Sequence, residues 1–191
     1  ADVLTTDDLL PDWERAPIVH LGPVCQEVAL DLVDAFPDSL LGVTPQGFLR
    51  NWDQDGLVSP AEWVGAEHVL EVADVVVLSL QDLGGDRTLL ERYVRRARLL
   101  VLTVGEDGAI VYQHGRSTRM PAYEVVEVDP TGAGDVFAAA FLIRYHETSD
   151  ALEATRFANC VASFCVEGVG ASGLATREQV ERRLRHGRLR P

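Results

Sequence analysis

Asp129-Pro-Thr-Gly-Ala-Gly-Asp135 sets two carboxylates around a turn of proline and glycine, and Val-Phe-Ala-Ala-Ala-Phe-Leu142 follows directly. Residues this small let backbone N–H groups approach a ligand closely. The amides of Gly132, Ala133 and Gly134 stand at the start of a helix expected from about Gly134. Together with the positive end of the helix dipole they make an anion site. Asp135, a carboxylate in the first turn, lies where an attacking hydroxyl would meet a phosphoryl group. It can take the hydroxyl proton while the amides hold the charge of the phosphate in transfer. Phosphoryl transfer asks for little beyond such positioning and charge stabilisation. A bare Gly-x-Gly-Asp would more simply be a helix start with a favourable aspartate, so the chemical reading rests on the whole stretch from Asp129 to Leu142.

The elements that must carry this turn can be read from apolar periodicity. Ile18 to Leu21, Leu40 to Val43, Val75 to Ser79 and Leu99 to Val104 are apolar runs with the length of buried strands. Val125 to Val128 is expected to be the strand that feeds the Asp129 turn. Ala109 to Tyr112 and Ser117 to Met120 flank Gln113-His-Gly-Arg116 as a hairpin. Gln26 to Phe36 has helical spacing, with Val28, Leu32 and Phe36 on one face. Helices are also expected over Gly134 to Arg144, Asp150 to Glu167 and Thr176 to Arg185, and Ala138, Ala139 and Ala140 suit tight packing on a sheet. Strands apolar throughout and separated by helical patterns indicate a mostly parallel sheet with helices on both faces, a three-layer α/β domain. The basic end of the chain, from Arg182 to Pro191, reads as a helix C-terminus followed by a frayed tail rather than as an anion-binding arm.

Composition narrows the function classes. The 191 residues suit one domain or slightly more, and 47% hydrophobic residues suffice for a sizeable core. A net charge of -13 repels nucleic-acid backbone. No run is long and apolar enough to span a bilayer, and Ala1 to Pro11 has no basic residue of the kind that opens a signal peptide. Cys25, Cys160 and Cys165 have no framework spacing, which favours reduced thiols in a cytoplasm. The five histidines are scattered, so a structural metal site is not expected.

The pattern from Asp129 to Leu142 resembles the second signature of the PfkB/ribokinase family of carbohydrate kinases. The resemblance extends from about Ile18 to the C-terminus and implies a ribokinase-like, Rossmann-like fold. By that resemblance Asp135 is the catalytic base and Gly132, Ala133 and Gly134 form the anion hole. Thr103-Val-Gly-Glu-Asp-Gly108 is similar to the family's nucleotide loop through Thr103, Gly105 and Gly108, and it is not a Walker A loop. Asn159 falls where the family places an asparagine near adenine. A monovalent cation such as potassium would be bound by Asp129 and Thr131 and by the segment holding Cys165, Gly168 and Gly170. Magnesium would be served through water by Asp82, at a position where the family has Asn-x-x-Glu and this chain has Ser79-Leu-Gln-Asp82. Arg50, in the loop from Thr44 to Asp53 after a strand end, suits an anionic group on the substrate or its phosphate. The alternative is a solvated arginine beside a loop packed by Phe48 and Trp52.

The resemblance thus implies transfer of the γ-phosphoryl group of ATP to a sugar or polyol hydroxyl. A nucleoside or a vitamin alcohol as acceptor, and a non-catalytic nucleotide-binding domain, remain alternatives. A homodimer is one assembly left open. The family's N-terminal Gly-Gly motif, sugar-gripping Asp and β-sheet lid have no counterpart before Asp12. The chain is therefore expected to be a kinase domain, residues 1–191, without its substrate and lid portion.

Overall fold

A computed structural model describes residues 2–191. The strands in chain order are β1 (Ile18–Leu21), β2 (Leu40–Val43), β3 (Arg50–Trp52), β4 (Val58–Pro60), β5 (Val75–Ser79), β6 (Leu99–Thr103), β7 (Ala109–Gln113) and β8 (Arg116–Met120). The helices are α1 (Ala66–Val72), α2 (Arg87–Arg96), α3 (Ala133–Thr148), α4 (Ala151–Cys165) and α5 (Arg177–His186). Six strands form a mostly parallel sheet with hydrogen-bonding order β1-β2-β5-β6-β7-β8, and β3 and β4 pair separately. By backbone contacts the chain divides into two compact units, Ala1–Val101 with Gln113–Gly115, and Leu102–Tyr112 with Arg116–Pro191.

In the first unit the apolar runs behave as their composition demands. Val75, Val76, Leu99, Leu100 and Val101 are fully buried, which only a sheet covered on both faces allows. β1 pairs in parallel with β2, and β2 in parallel with β5, so their C-terminal ends share one edge. α2 begins on Asp86, whose carboxylate accepts the N–H groups of Thr88 and Leu89. Arg92 and Arg96 of α2 pair with Glu67 and Glu71 of α1. The helix expected over Gln26 to Phe36 does not form. Gln26 has a φ of 57°, and only Leu30–Asp34 closes a short 3-10 turn. Of the expected face Leu32 and Phe36 are nonetheless buried and Val28 is half-buried; the backbone of Glu27 and Ala29 bonds to Leu4 in a parallel bridge instead of continuing a helix.

β7 and β8 are joined by His114 and Gly115, with φ values of 51° and 71°. Two positive φ values give the type I′ geometry that matches strand twist. α3 and α4 are the principal packing pair. Ala138 and Ala140 of α3 and Ala154 and Ala158 of α4 are buried, while Ala139 is exposed. α4 starts on Asp150, which accepts Leu152 and Glu153 N–H groups. α5 starts with a Thr176–Gln179 capping box. Residues 125–128 form no strand: the N–H groups of Val128 and Asp129 both point to the carbonyl of Val166, at 2.7 and 3.2 Å. The tail after α5 is not frayed either. Tyr123 and Leu189 form an antiparallel bridge, flanked by bonds from Glu124 N to Arg188 O and from Arg190 N to Ala122 O.

Candidate active site

The Asp129 turn is built from its own polar groups. Thr131 N–H donates to Asp129 Oδ1 at 2.9 Å, closing an Asx turn. Ala133 N–H donates to Pro130 O at 3.1 Å, and Gly132 adopts a φ of 79° at the N-cap of α3. That conformation needs glycine, because a Cβ would crowd the following carbonyl. The first turn of a helix leaves N–H groups without intrahelical acceptors. Here Ala133 spends its donor on Pro130, whereas the amides of Gly132, Gly134 and Asp135 have no acceptor among the described residues. A side chain added at Gly132 or Gly134 would meet no atom within 4 Å. The donors therefore border open space. Asp135 is exposed at the same place, and its carboxylate makes no hydrogen bond among the described residues.

The nucleotide-loop residues lie in the same unit. Gly105–Asp107 forms a 3-10 turn after β6, closed by Val104 N–H to Gly108 O at 2.9 Å. Gly105, with a φ of 59°, borders open space. Gly108 does not: a Cβ there would collide with the carbonyl of Met120 and the amide of Ala122. Asn159 supports the same segment from α4. Its Nδ2 donates to Met120 O and to Pro121 O, each at 3.1 Å, and it is 6% exposed. Both of its donor hydrogens thus hold the chain against which Gly108 packs. Thr103, half-buried at the end of β6, has its own partners and starts the loop.

A third group gathers beside the turn. Gly170 N–H lies 3.5 Å from Asp129 Oδ2, Cys165 Sγ lies 3.9 Å from Thr131 O, and Gly168 N–H reaches Cys165 O at 3.3 Å. The structure thus brings Asp129, Thr131, Cys165, Gly168 and Gly170 together. The Thr131 hydroxyl and amide, with the Gly170 amide, hold the Asp129 carboxyl below the usual carboxylate range. Burial pushes the Cys165 thiol up, and the neighbouring Asp129 and Asp135 carboxylates add to this. No cluster of three or more His, Cys, Asp or Glu suited to a metal occurs among the described residues; any ion here would rely on backbone carbonyls.

With this geometry in place, comparison with known proteins decides the family. The model of the pfkB family carbohydrate kinases matches residues 60–177, which include the nucleotide loop, the Asp129 turn and α4. The chain belongs to the pfkB family of carbohydrate kinases. It is 34% identical over 180 residues to a protein named probable fructokinase-5 from Arabidopsis thaliana, covering 83% of this chain and 55% of that one. It is 41% identical over 86 residues to a ribokinase of Bacillus subtilis, covering 44% of this chain and 29% of that one. The crystal structure of a Methanocaldococcus jannaschii nucleoside kinase superposes with a TM-score of 0.71 at 24% identity, over 89% of this chain and 56% of that one. The fold is therefore ribokinase-like α/β. The chain spans about half the length of the fructokinase and the nucleoside kinase, and less of the ribokinase.

The remaining pfkB-family candidates, Arg50 and Asp82, lie in the first unit. Gly47 lets its loop approach Pro23 after β1, where a Cβ would strike the Pro23 backbone. Gln46 Nε2 reaches Asp82 Oδ1 at 3.4 Å. Asp82 Oδ2 accepts both the amide and the hydroxyl of Ser79, at 2.7 and 2.8 Å. The loops after β1, β2 and β5 thus meet at the sheet edge where α/β proteins present ligand groups. Arg50 opens β3 half-buried, its carbonyl accepting Gln26 Nε2 at 2.6 Å. Its guanidinium has no ion-pair partner among the described residues. Phe48 is packed, stacked on Trp63 at 5.7 Å, whereas Trp52 is exposed. Sequence reasoning missed the Asp135 amide and the bracing of the nucleotide loop by Met120–Ala122. The first follows from the helix start at Ala133; the second pairs residues far apart in the chain and left no local signal.

Proposed function

We propose that this chain carries the donor-binding and catalytic part of an ATP-dependent phosphotransferase whose acceptor is a hydroxyl of a sugar or polyol. The observation that carries this reading is the set of unengaged amides of Gly132, Gly134 and Asp135 facing open space beside the exposed Asp135 carboxylate. Fixed N–H donors stabilise charge as it develops on the phosphoryl oxygens without reorganising. Asp135 accepts the proton of the acceptor hydroxyl as its oxygen bonds to phosphorus and the bond to the leaving ADP breaks. Gly105 gives the donor's nucleotide end an approach along the Thr103–Gly108 loop, and Asn159 keeps that loop seated by holding Met120 and Pro121.

Asp82 retains one carboxylate oxygen with only a long bond from Gln46, so through water it could serve magnesium, which neutralises phosphate charge when bound. A monovalent cation would be held by Asp129 and the carbonyls around Thr131 and Cys165, and would add positive charge next to the amide turn. Arg50 is proposed to bind an anionic group of the substrate. Relatives bearing the names ribokinase, fructokinase and nucleoside kinase support a sugar-like acceptor. All three thiols are unpaired, consistent with the cytoplasmic setting we assign to the enzyme.

The test is binding followed by turnover. ATP with magnesium at a hundredfold excess over Kd should stabilise the fold by about 2.7 kcal/mol and raise Tm. ADP should then form only when an acceptor from a panel of sugars, polyols and nucleosides is supplied. A folded sample whose melting ignores millimolar ATP and ADP would rule the reading out.

A further inference from the structure

The tail after α5 follows an unusual course for a basic C-terminus. Gly187 passes so close to Tyr123 that a Cβ would sit 2.7 Å from the ring and 2.6 Å from Arg183 O. The chain then lies antiparallel to residues 122–124. Those residues are continuous with the Met120–Ala122 backbone that Gly108 of the nucleotide loop requires as its neighbour. From this strap Arg190 returns to the loop itself: its Nη1 lies 2.5 Å from Glu106 Oε2.

Two arginines pair with the loop's acidic residues, and their exposure decides between them. Arg119 pairs with Asp107 at 3.1 Å, with both side chains about two-thirds exposed, 63% and 65%. Such a pair contributes little. Arg190 is 33% exposed and its Nε is buried with no hydrogen-bond partner among the described residues, although Glu106 is 70% exposed. The guanidinium is thus held by its surroundings before it meets Glu106, so less side-chain freedom is lost in forming the pair. A positive group here also offsets the charge of Glu106, which would otherwise repel an approaching phosphate.

We propose that Arg190 is a positioning residue: through Glu106 the C-terminal strap fixes the Gly105–Asp107 turn in the conformation that receives the phosphoryl donor. The inference rests on the reading of this loop as the donor loop. Its mechanical half can be tested without any nucleotide. In the unliganded full chain, Arg190→Ala keeps the strap's backbone bonds. It should accelerate hydrogen exchange at the Asp107 and Gly108 amides about two- to fivefold, the range expected for one partly exposed ion pair. The amides of α3 should not change, and Arg190→Lys should fall between wild type and Arg190→Ala. The Kd for ATP with magnesium should rise by a similar factor, with kcat at saturating donor unchanged.

Unchanged loop exchange in Arg190→Ala would overturn the proposal, and so would acceleration spread evenly through α3 and α4, which marks a general structural role. Faster loop exchange with an unchanged donor Kd would overturn the positioning role. If loop exchange accelerates locally while no chain, wild type included, binds ATP or ADP, the strap stands as the brace of this loop and the donor reading falls.

Discussion

Asp135 and Gly134 are adjacent, yet different demands select them. The Asp135 carboxylate is exposed and makes no hydrogen bond among the described residues. Asp135→Asn should therefore leave folding and donor affinity nearly unchanged while kcat drops about 10²–10⁴-fold, the usual share of a general base. Steady-state rates alongside donor titration check this; near wild-type kcat would return Asp135 to the role of a helix-start residue. Gly134 has an ordinary helical backbone and open space where a Cβ would lie. Alanine there should stabilise α3 by about 0.5–1 kcal/mol, because glycine is a poor helix residue. It should also weaken donor binding by narrowing the approach to the amides. A variant that melts higher and binds worse identifies a glycine kept for its ligand and not for the fold. Residues of this kind were legible because the Asp129–Asp135 motif is contiguous. Its finer bookkeeping was not: that Ala133 spends its amide on Pro130, and that Asp135 supplies one instead, depends on where the helix begins.

At the level of elements, Gly108, Met120–Ala122 and Asn159 form one assembly drawn from β6–β7, β8 and α4. Asn159→Ala would strip two part-buried carbonyls of their donor, and a fully buried unsatisfied acceptor, the upper limit here, costs about 1–3 kcal/mol. The expected outcome is a clear fall in Tm together with weaker nucleotide binding. Retained stability with lost binding would mean instead that Asn159 meets the nucleotide directly. Gly105 and Gly108 looked equivalent in sequence, but only Gly108 is required by neighbouring backbone. The same limit explains which elements could be foreseen. β1, β2, β5 and β6 were visible because continuous burial demands continuous apolar residues. β3 and β4 were not, since Trp52, Leu57 and Val58 are exposed and nothing in their spacing records a buried face. Residues 125–128 looked like a strand from their valines, yet Val126 and Val128 are exposed, and the chain there is tied to the end of α4.

Across the whole molecule, the cations are all arginine: the sequence contains no lysine. Many pair with carboxylates at the surface, as Arg144 does with Glu147 and Glu153. Titration therefore brackets stability from both sides. The Asp129 carboxyl is lowered by the Thr131 hydroxyl and amide and by Gly170, and that of Glu147 by Arg144 and Arg177. Groups lowered in the folded state contribute stability above their unfolded values, and it is lost as pH falls through the folded ones, so the acid limb should begin near pH 4 and deepen below it. The alkaline limb has a more specific source. Cys160 is fully buried among Tyr123, Val180 and the residues around them, and its thiol faces Val180 O at 3.5 Å. Burial pushes it from an ordinary 9.0 up to about 11. A thiolate there would lose its water and confront a carbonyl oxygen. The folded state therefore prefers the protonated thiol, and this preference stabilises the fold fully below the unfolded value. It is lost as pH rises toward about 11, and the interval corresponds to roughly 2–3 kcal/mol. Tyr93 and Tyr123, also raised chiefly by burial, push the same way. Cys160→Ala should lower stability at pH 7 through the space it leaves, yet lose less between pH 9 and 11 than wild type does. The slope of denaturation free energy against pH over that range is the measurement. If the two slopes coincide, the thiol does not set the alkaline limb, and the buried tyrosines must.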